Sequence, residues 1–261
     1  AATIARLPPG VRIIATFSAG VDHIDLEAAR ARGIVVTNTP DVLTEATAEL
    51  TMGLILAAAR RFGEGERLVR SGGWRGWTPT QLLGLQVSGK RLGILGMGRI
   101  GRALARMARG FRLEVHYHNR TRLDPALEEG ATYHAEPEAM LPRIDILALT
   151  APGGAALRRW LNAERIALLP RGAVVVNTGR GALVDDEALI AALRTGHVAF
   201  AGLDVYDGEP NLDPGYLDCP NAVLLPHLGS ATEETRNRMG FRALDNLDAF
   251  FAGKAPPDRV A

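Results

Sequence analysis

Three residues, each just beyond an apolar run, could together do carbonyl chemistry. Arg180 lies in Val176-Asn177-Thr178-Gly179-Arg180-Gly181, Glu209 near the end of the stretch from Gly202 to Pro210, and His227 in Leu225-Pro226-His227-Leu228-Gly229. Reduction of a 2-oxo acid needs a permanent cation to hold the carboxylate and polarise the carbonyl. It also needs an acid that protonates the alkoxide as hydride arrives. A guanidinium suits the first task through its fixed fork of donors, and an imidazole suits the second because it exchanges its proton near neutral pH. Glu209 would hydrogen-bond the ring, fix its orientation and favour its charged form. Taken singly, Arg180 also reads as a surface-loop residue, Glu209-Pro210 as a turn and His227 as a structural histidine. Their joint placement after successive strands favours a catalytic set.

A second group of residues could hold a dinucleotide. The run Arg91-Leu92-Gly93-Ile94-Leu95 ends in Gly96-Met97-Gly98-Arg99-Ile100-Gly101 and passes directly into a helix-like segment, Arg102 to Ala108. In such a strand-turn-helix, Gly96 permits the tight turn, Gly98 lets the backbone approach the phosphates, and Gly101 lets helix and strand pack closely. Arg99 and Ile100 complete the turn, and the helix start directs its unpaired N–H groups at the anion. NAD-binding folds place an acid near the end of the next strand, about twenty residues past the first glycine, to hold the ribose hydroxyls. Here Leu113 to His118 is followed by Asn119-Arg120-Thr121-Arg122, with no carboxylate. Donors and positive charge match a 2′-phosphate, so NADP(H) is expected over NAD(H), which stays possible. The plain alternative makes Arg120 and Arg122 solvated cations at a strand end.

These residues need elements to position them. Strands are expected at 92–95, 113–118, 144–150, 173–177, 199–204 and 222–225, and helices at 100–109, 125–129, 137–141, 163–168 and 186–195. The alternation predicts an α/β fold, a Rossmann-type doubly wound parallel sheet whose strand tips carry the ligand site. Ahead of it, a strand at 11–16, a helix at 25–32 and a strand at 34–37 form a unit too small to bury both faces of a sheet. A long helical pattern runs from Thr44 to about Arg70. Its first half is apolar on nearly every side, which fits either a core helix or one buried on another subunit. Trp74 and Trp77 follow in a loop-like stretch that either packs on another subunit or folds on its own domain. The chain closes with an amphipathic helix at 232–252 and a tail expected to fray.

Composition narrows the class. The 261 residues carry 30 Lys+Arg against 29 Asp+Glu, a formal charge of +1, which gives no electrostatic case for nucleic acid or an anionic membrane. No apolar run approaches a membrane span, and the first residues do not read as a signal peptide. The single cysteine, Cys219, excludes an intrachain disulfide and fits a reducing compartment. A soluble cytoplasmic protein without a metal is expected.

On three motifs the chain resembles the D-isomer-specific 2-hydroxyacid dehydrogenases over essentially its whole length, most of all their glyoxylate/hydroxypyruvate reductase branch. They are Gly-Met-Gly-Arg-Ile-Gly at 96–101, His-Asn-Arg-Thr-Arg at 118–122 and Leu-Pro-His-Leu-Gly-Ser-Ala-Thr at 225–232. The resemblance implies that Arg180, Glu209 and His227 are the catalytic set and that Asp204 holds the nicotinamide carboxamide. Thr150, Pro152, Thr178, His227 and Gly229 then join the 96–101 turn and Asn119, Arg120 and Thr121 in the cofactor site. Ala19 and Gly20 would receive the substrate carboxylate on their backbone amides, and Trp77 would project into a partner subunit's pocket. The implied organisation is a homodimer in three parts. Residues 1–43 and 231–261 form an incomplete flavodoxin-like α/β substrate domain, 44–89 a long helix and dimerisation arm, and 90–230 the dinucleotide-binding domain. Family members begin with further βα units, so this chain is expected to be less stable and less active than one that carries them. The implied reaction reduces glyoxylate or hydroxypyruvate to a D-2-hydroxy acid with NADPH. The alternatives are an NAD-linked sibling with another substrate and a non-catalytic dinucleotide sensor.

Overall fold

The computed structural model describes residues 2–261 and divides into two compact units. One comprises the residues up to Ala46 together with Ser230–Ala261, the other Thr47–Gly229. The smaller unit opens with α1 (Ala2–Ala5), β1 (Ile13–Ala15), α2 (Leu26–Ala31) and β2 (Val35–Thr37). Asp25 starts α2 by accepting the Ala28 N–H at 2.9 Å, a side-chain cap on an otherwise orphaned donor. β1 and β2 pair in parallel, Ile14 opposite Val36, over a core of Ile4, Ala29, Ile34 and Val36.

The chain continues through α3 (Thr44–Ala59), α4 (Phe62–Arg70), β3 (Arg91–Leu95), α5 (Arg99–Gly110), β4 (Glu114–His118) and α6 (Pro125–Glu128). Then follow β5 (Thr132–Tyr133), α7 (Pro137–Met140), β6 (Ile146–Leu149), α8 (Ala163–Leu168), β7 (Ala173–Asn177), α9 (Asp186–Thr195), β8 (Val198–Leu203) and β9 (Ala222–Leu224), and α10 (Glu233–Phe251) closes the smaller unit. The seven strands β3 to β9 form one parallel sheet in the order β5-β4-β3-β6-β7-β8-β9. This is the expected Rossmann-type α/β architecture. Strand order reverses between β3 and β6, and such a switch point opens a crevice beyond the carboxyl ends of the strands. Every residue of β6 and β7 is buried, as central parallel strands covered on both faces require. Leu147, Leu149 and Val175 enter one core, and their alternates Ile146, Ala148, Val174 and Val176 enter the other.

The apolar first half of the long helical pattern belongs to this second core. Ala48, Met52, Leu54, Ile55 and Ala58 of α3 lie in it, and a Cβ added at Gly202 of β8 would come within 3.1 Å of Leu54. The pattern does not run unbroken to Arg70, as expected from the sequence. Arg61 turns left-handed, at φ 56°, and the separate α4 beyond it buries no residue. β5 is too short to show a period and escaped the sequence reading.

The expected frayed tail is docked. Val260 N–H donates to Val36 O at 2.8 Å and Val36 N–H to Ala261 O at 3.0 Å. Asp258 is pinned by Arg242 and by fully buried Asn246. The open edge of β2 needs backbone partners, and the tail supplies them.

Candidate active site

The glycine turn leaves β3 and enters α5 under tight steric control. Gly96 has φ 94°, and a Cβ there would lie 2.5 Å from Ala151 Cα, so both conformation and space demand glycine. A Cβ at Gly101 would lie 2.5 Å from Gly96 O, which fixes the close approach of helix and strand. Gly98 differs. Its φ is an ordinary −78° and an added Cβ would meet nothing within 4 Å. Nothing in the chain requires glycine there, and the space it leaves stands at the start of α5, whose cap carries no side-chain bond. That cradle, followed by Arg99 and Ile100, fits a dinucleotide pyrophosphate.

Two residues expected to bind cofactor also brace this turn. Thr150 donates its hydroxyl to Gly96 O at 2.9 Å. Asn119 Oδ1, at the end of β4, accepts the Met97 N–H at 2.7 Å. Pro152, in the next loop, is exposed. Thr178 is buried, its hydroxyl 2.7 Å from that of Thr51 on α3. Because Thr51 donates to Thr47 O, Thr178 donates to Thr51, so that hydroxyl is directed at α3. Arg120 and Thr121 stand exposed at the loop tip.

At the other strand ends, Asp204 follows β8 and is 1% exposed. Its carboxylate accepts the N–H of Leu228 at 2.6 Å and of Gly229 at 2.8 Å, and its carbonyl accepts the N–H of His227 at 2.9 Å. Burial raises its pKa, although both backbone donors oppose the rise. These bonds hold His227 in the left-handed region, at φ 57°, a conformation that costs a non-glycine residue on the order of 1 kcal/mol. The imidazole Nδ1 lies 2.7 Å from Glu209 Oε2. The other Glu209 oxygen accepts the Tyr206 N–H at 3.0 Å. A carboxylate at Nδ1 makes that nitrogen the donor and leaves Nε2 as the other proton-carrying atom.

Tyr206 is a site residue that the sequence reading did not assign. Its hydroxyl reaches Leu203 O at 3.2 Å and Leu225 O at 3.0 Å, tying together the ends that carry Asp204 and His227. Burial pushes its pKa up to about 12. A phenol two positions after Asp204 was the available signal. Half-buried Arg180 donates to Gly179 O at 2.8 Å, and its own carbonyl accepts from Asn177 Nδ2 at 2.9 Å. A Cβ at Gly181 would fall 1.8 Å from Tyr206 C, so the loop carrying Arg180 passes directly against the backbone that leads to Glu209.

In the smaller unit the Ser18–Gly20 loop is locally braced. Ser18 Oγ donates to Gly20 O at 2.6 Å and Asn38 Nδ2 to Ala19 O at 2.7 Å. On the arm, Trp77 is 79% exposed and Trp74 53%, so neither folds onto its own unit. Among the described residues, no cluster of His, Cys, Asp or Glu is arranged to hold a metal, and no helix is long and apolar enough to cross a membrane.

Residues 52–229 match the family model of the D-isomer specific 2-hydroxyacid dehydrogenase NAD-binding domain. The chain is 46% identical over 252 residues to glycerate dehydrogenase of Hyphomicrobium methylovorum, covering 96% of this chain and 78% of that one. It is 44% identical over 256 residues to glyoxylate reductase of Thermococcus litoralis, covering 97% and 77%. Among solved structures, the NADPH-dependent glyoxylate/hydroxypyruvate reductase of Sinorhizobium meliloti, in complex with NADP and malonate, is 41% identical. It superposes with a TM-score of 0.90, covering 97% of this chain and 78% of that one.

Proposed function

Because this chain belongs to the D-isomer-specific 2-hydroxyacid dehydrogenases, we propose that it reduces small 2-oxo acids, glyoxylate and hydroxypyruvate first, to D-2-hydroxy acids with NADPH. The observation that carries the reading is the 2.7 Å contact of His227 Nδ1 with Glu209 Oε2, on a loop held by Asp204. A bound reduced nicotinamide dinucleotide supplies hydride to the carbonyl carbon. His227 gives the proton on Nε2 to the developing alkoxide, and Glu209 steadies the charged ring through Nδ1. Arg180 holds the substrate and polarises its carbonyl. Gly96, Gly98, Arg99, Ile100 and Gly101 are assigned to the pyrophosphate, and Asp204 to the carboxamide.

NADPH is preferred in this reading because Arg120 and Thr121 stand exposed where NAD-binding folds keep an acid. The NADP-bound relative supports that choice. Homodimerisation is proposed on the arm, where Phe62, Val69, Trp74, Trp77 and Leu83 are all more than half exposed, the large apolar and aromatic residue types that interfaces favour. The one cysteine, buried and kept a thiol by that burial, fits a reducing cytoplasm. Initial rates with glyoxylate and hydroxypyruvate, comparing NADPH with NADH, test the proposal. Preferential NADPH oxidation supports it. Turnover with NADH alone removes the cofactor assignment, and tight binding without turnover removes the catalytic one.

A further inference from the structure

A carboxylate does lie beside the end of β4, contributed by α6 and not by the residues next to the strand. Glu128, the last residue of α6, is buried. Its two oxygens accept from Arg122 Nε at 2.8 Å and Nη2 at 3.0 Å, and Oε1 also accepts from Tyr117 OH at 2.6 Å. Tyr117, fully buried near the end of β4, accepts the Leu123 N–H on the same oxygen at 3.2 Å. The Arg122 guanidinium lies 5.7 Å over the Tyr133 ring, and Tyr133 OH donates to Asn119 O at 3.3 Å. Asn119 in turn grips Met97 in the glycine turn.

Residues 119, 122 and 123 are therefore each anchored, and the two between, Arg120 and Thr121, are left exposed at the apex. Arg122, although exposed, is tied down by Glu128 through two of its guanidinium nitrogens. The same bonds cancel the charge of Glu128, whose carboxyl is driven down to about 2 by Arg122 first and Tyr117 second. Without this pairing the loop would lose its anchor, and a bare carboxylate would repel a phosphate.

We infer that Glu128 is a positioning residue for cofactor choice: through Arg122 and Tyr117 it fixes the 119–123 loop so that Arg120 and Thr121 meet a 2′-phosphate. This rests on the NADPH preference proposed above. A loosened loop loses the directional, charge-assisted part of the contact, which only a 2′-phosphorylated ribose uses. A role confined to folding would lower thermal stability and weaken both cofactors alike.

The test is calorimetric titration of the whole protein with 2′,5′-ADP and with 5′-AMP, alongside KM and kcat for NADPH and NADH. Glu128→Gln should weaken 2′,5′-ADP about fivefold or more, the scale of one charged hydrogen bond. It should change 5′-AMP less than about twofold and leave kcat with saturating NADPH unaltered. Arg122→Lys, which keeps the charge but not the fork, should act in the same direction more weakly, and it decides the matter if Glu128→Gln does not fold. Equal weakening of both nucleotides, or of neither, overturns the inference. Arg120→Gln is the control. If it selectively loses 2′,5′-ADP while Glu128→Gln does not, the NADPH reading stands and the positioning role fails. If Arg120→Gln is also without selective effect, the NADPH reading itself fails.

Discussion

Two buried carboxylates stand at opposite ends of the large sheet and solve one problem by opposite means. Asp204, beyond β8, is satisfied by backbone N–H groups of the His227 loop, and burial raises its pKa. Glu128, beside β4, is satisfied by a guanidinium and a phenol, and its pKa falls to about 2. Each holds a loop, but only one of them uses a charged partner to do so. Backbone dipoles serve at the end that carries His227, where both Asp204 oxygens accept N–H groups. A complete ion pair serves beside β4, where a bare carboxylate would oppose the phosphate of the cofactor proposed above.

The sharpest way to break this comparison is at the residue Asp204 serves. His227→Ala should lower kcat by at least about 10²-fold, while a fluorescence titration shows NADPH binding intact, because Asp204 holds the 227–229 loop by its backbone N–H groups and not by the imidazole. Loss of both would mean that the imidazole also holds the loop. Asp204→Asn should cost about 1.5–3 kcal/mol of stability, since an amide donor would meet a backbone donor inside the fold. Denaturant unfolding reads that loss, and turnover should fall with it. By contrast Glu209→Gln, at an exposed position, should reduce kcat with an unfolding midpoint near that of the parent. A comparable loss of stability would put Glu209 in the same class as Asp204.

The smallest effect concerns acid and tests the opposite pKa shifts directly. The folded pKa of Glu128 is depressed, so its stabilisation is present above the ordinary carboxylate range and is lost as pH falls from about 4.5 toward 2. Glu128→Gln should therefore flatten the decline of stability over that window. Asp204 is raised, so the folded state binds its proton more readily and gains stability on acidification. Asp204→Asn should steepen the same decline. Equal slopes in the two variants would contradict the structure.

Much of this was legible in the chain because it is local. The strand, glycine turn and helix around 91–108 are contiguous, and steric demands at Gly96 and Gly101 operate over a few residues. The alternation of strands and helices placed Arg180, Glu209 and His227 just beyond β7, β8 and β9, each within a few residues of a strand end. What stayed hidden depends on neighbours set by topology. The direction of the Thr178 hydroxyl is fixed by α3, more than a hundred residues earlier, and the tail docks on β2 because that edge lacks a partner. Glu128 lies only nine residues past Asn119, yet no spacing rule turns α6 back so that its last residue meets Arg122 and Tyr117.

The sequence alone determined which residue types stand at the strand ends, since parallel βα units leave little freedom in where their loops begin. Only the tertiary structure decided which partners those side chains take within the protein. A side chain's hydrogen-bond partner is chosen by distance and desolvation in the folded chain, and Asn119, Thr150 and Thr178 took partners within the protein.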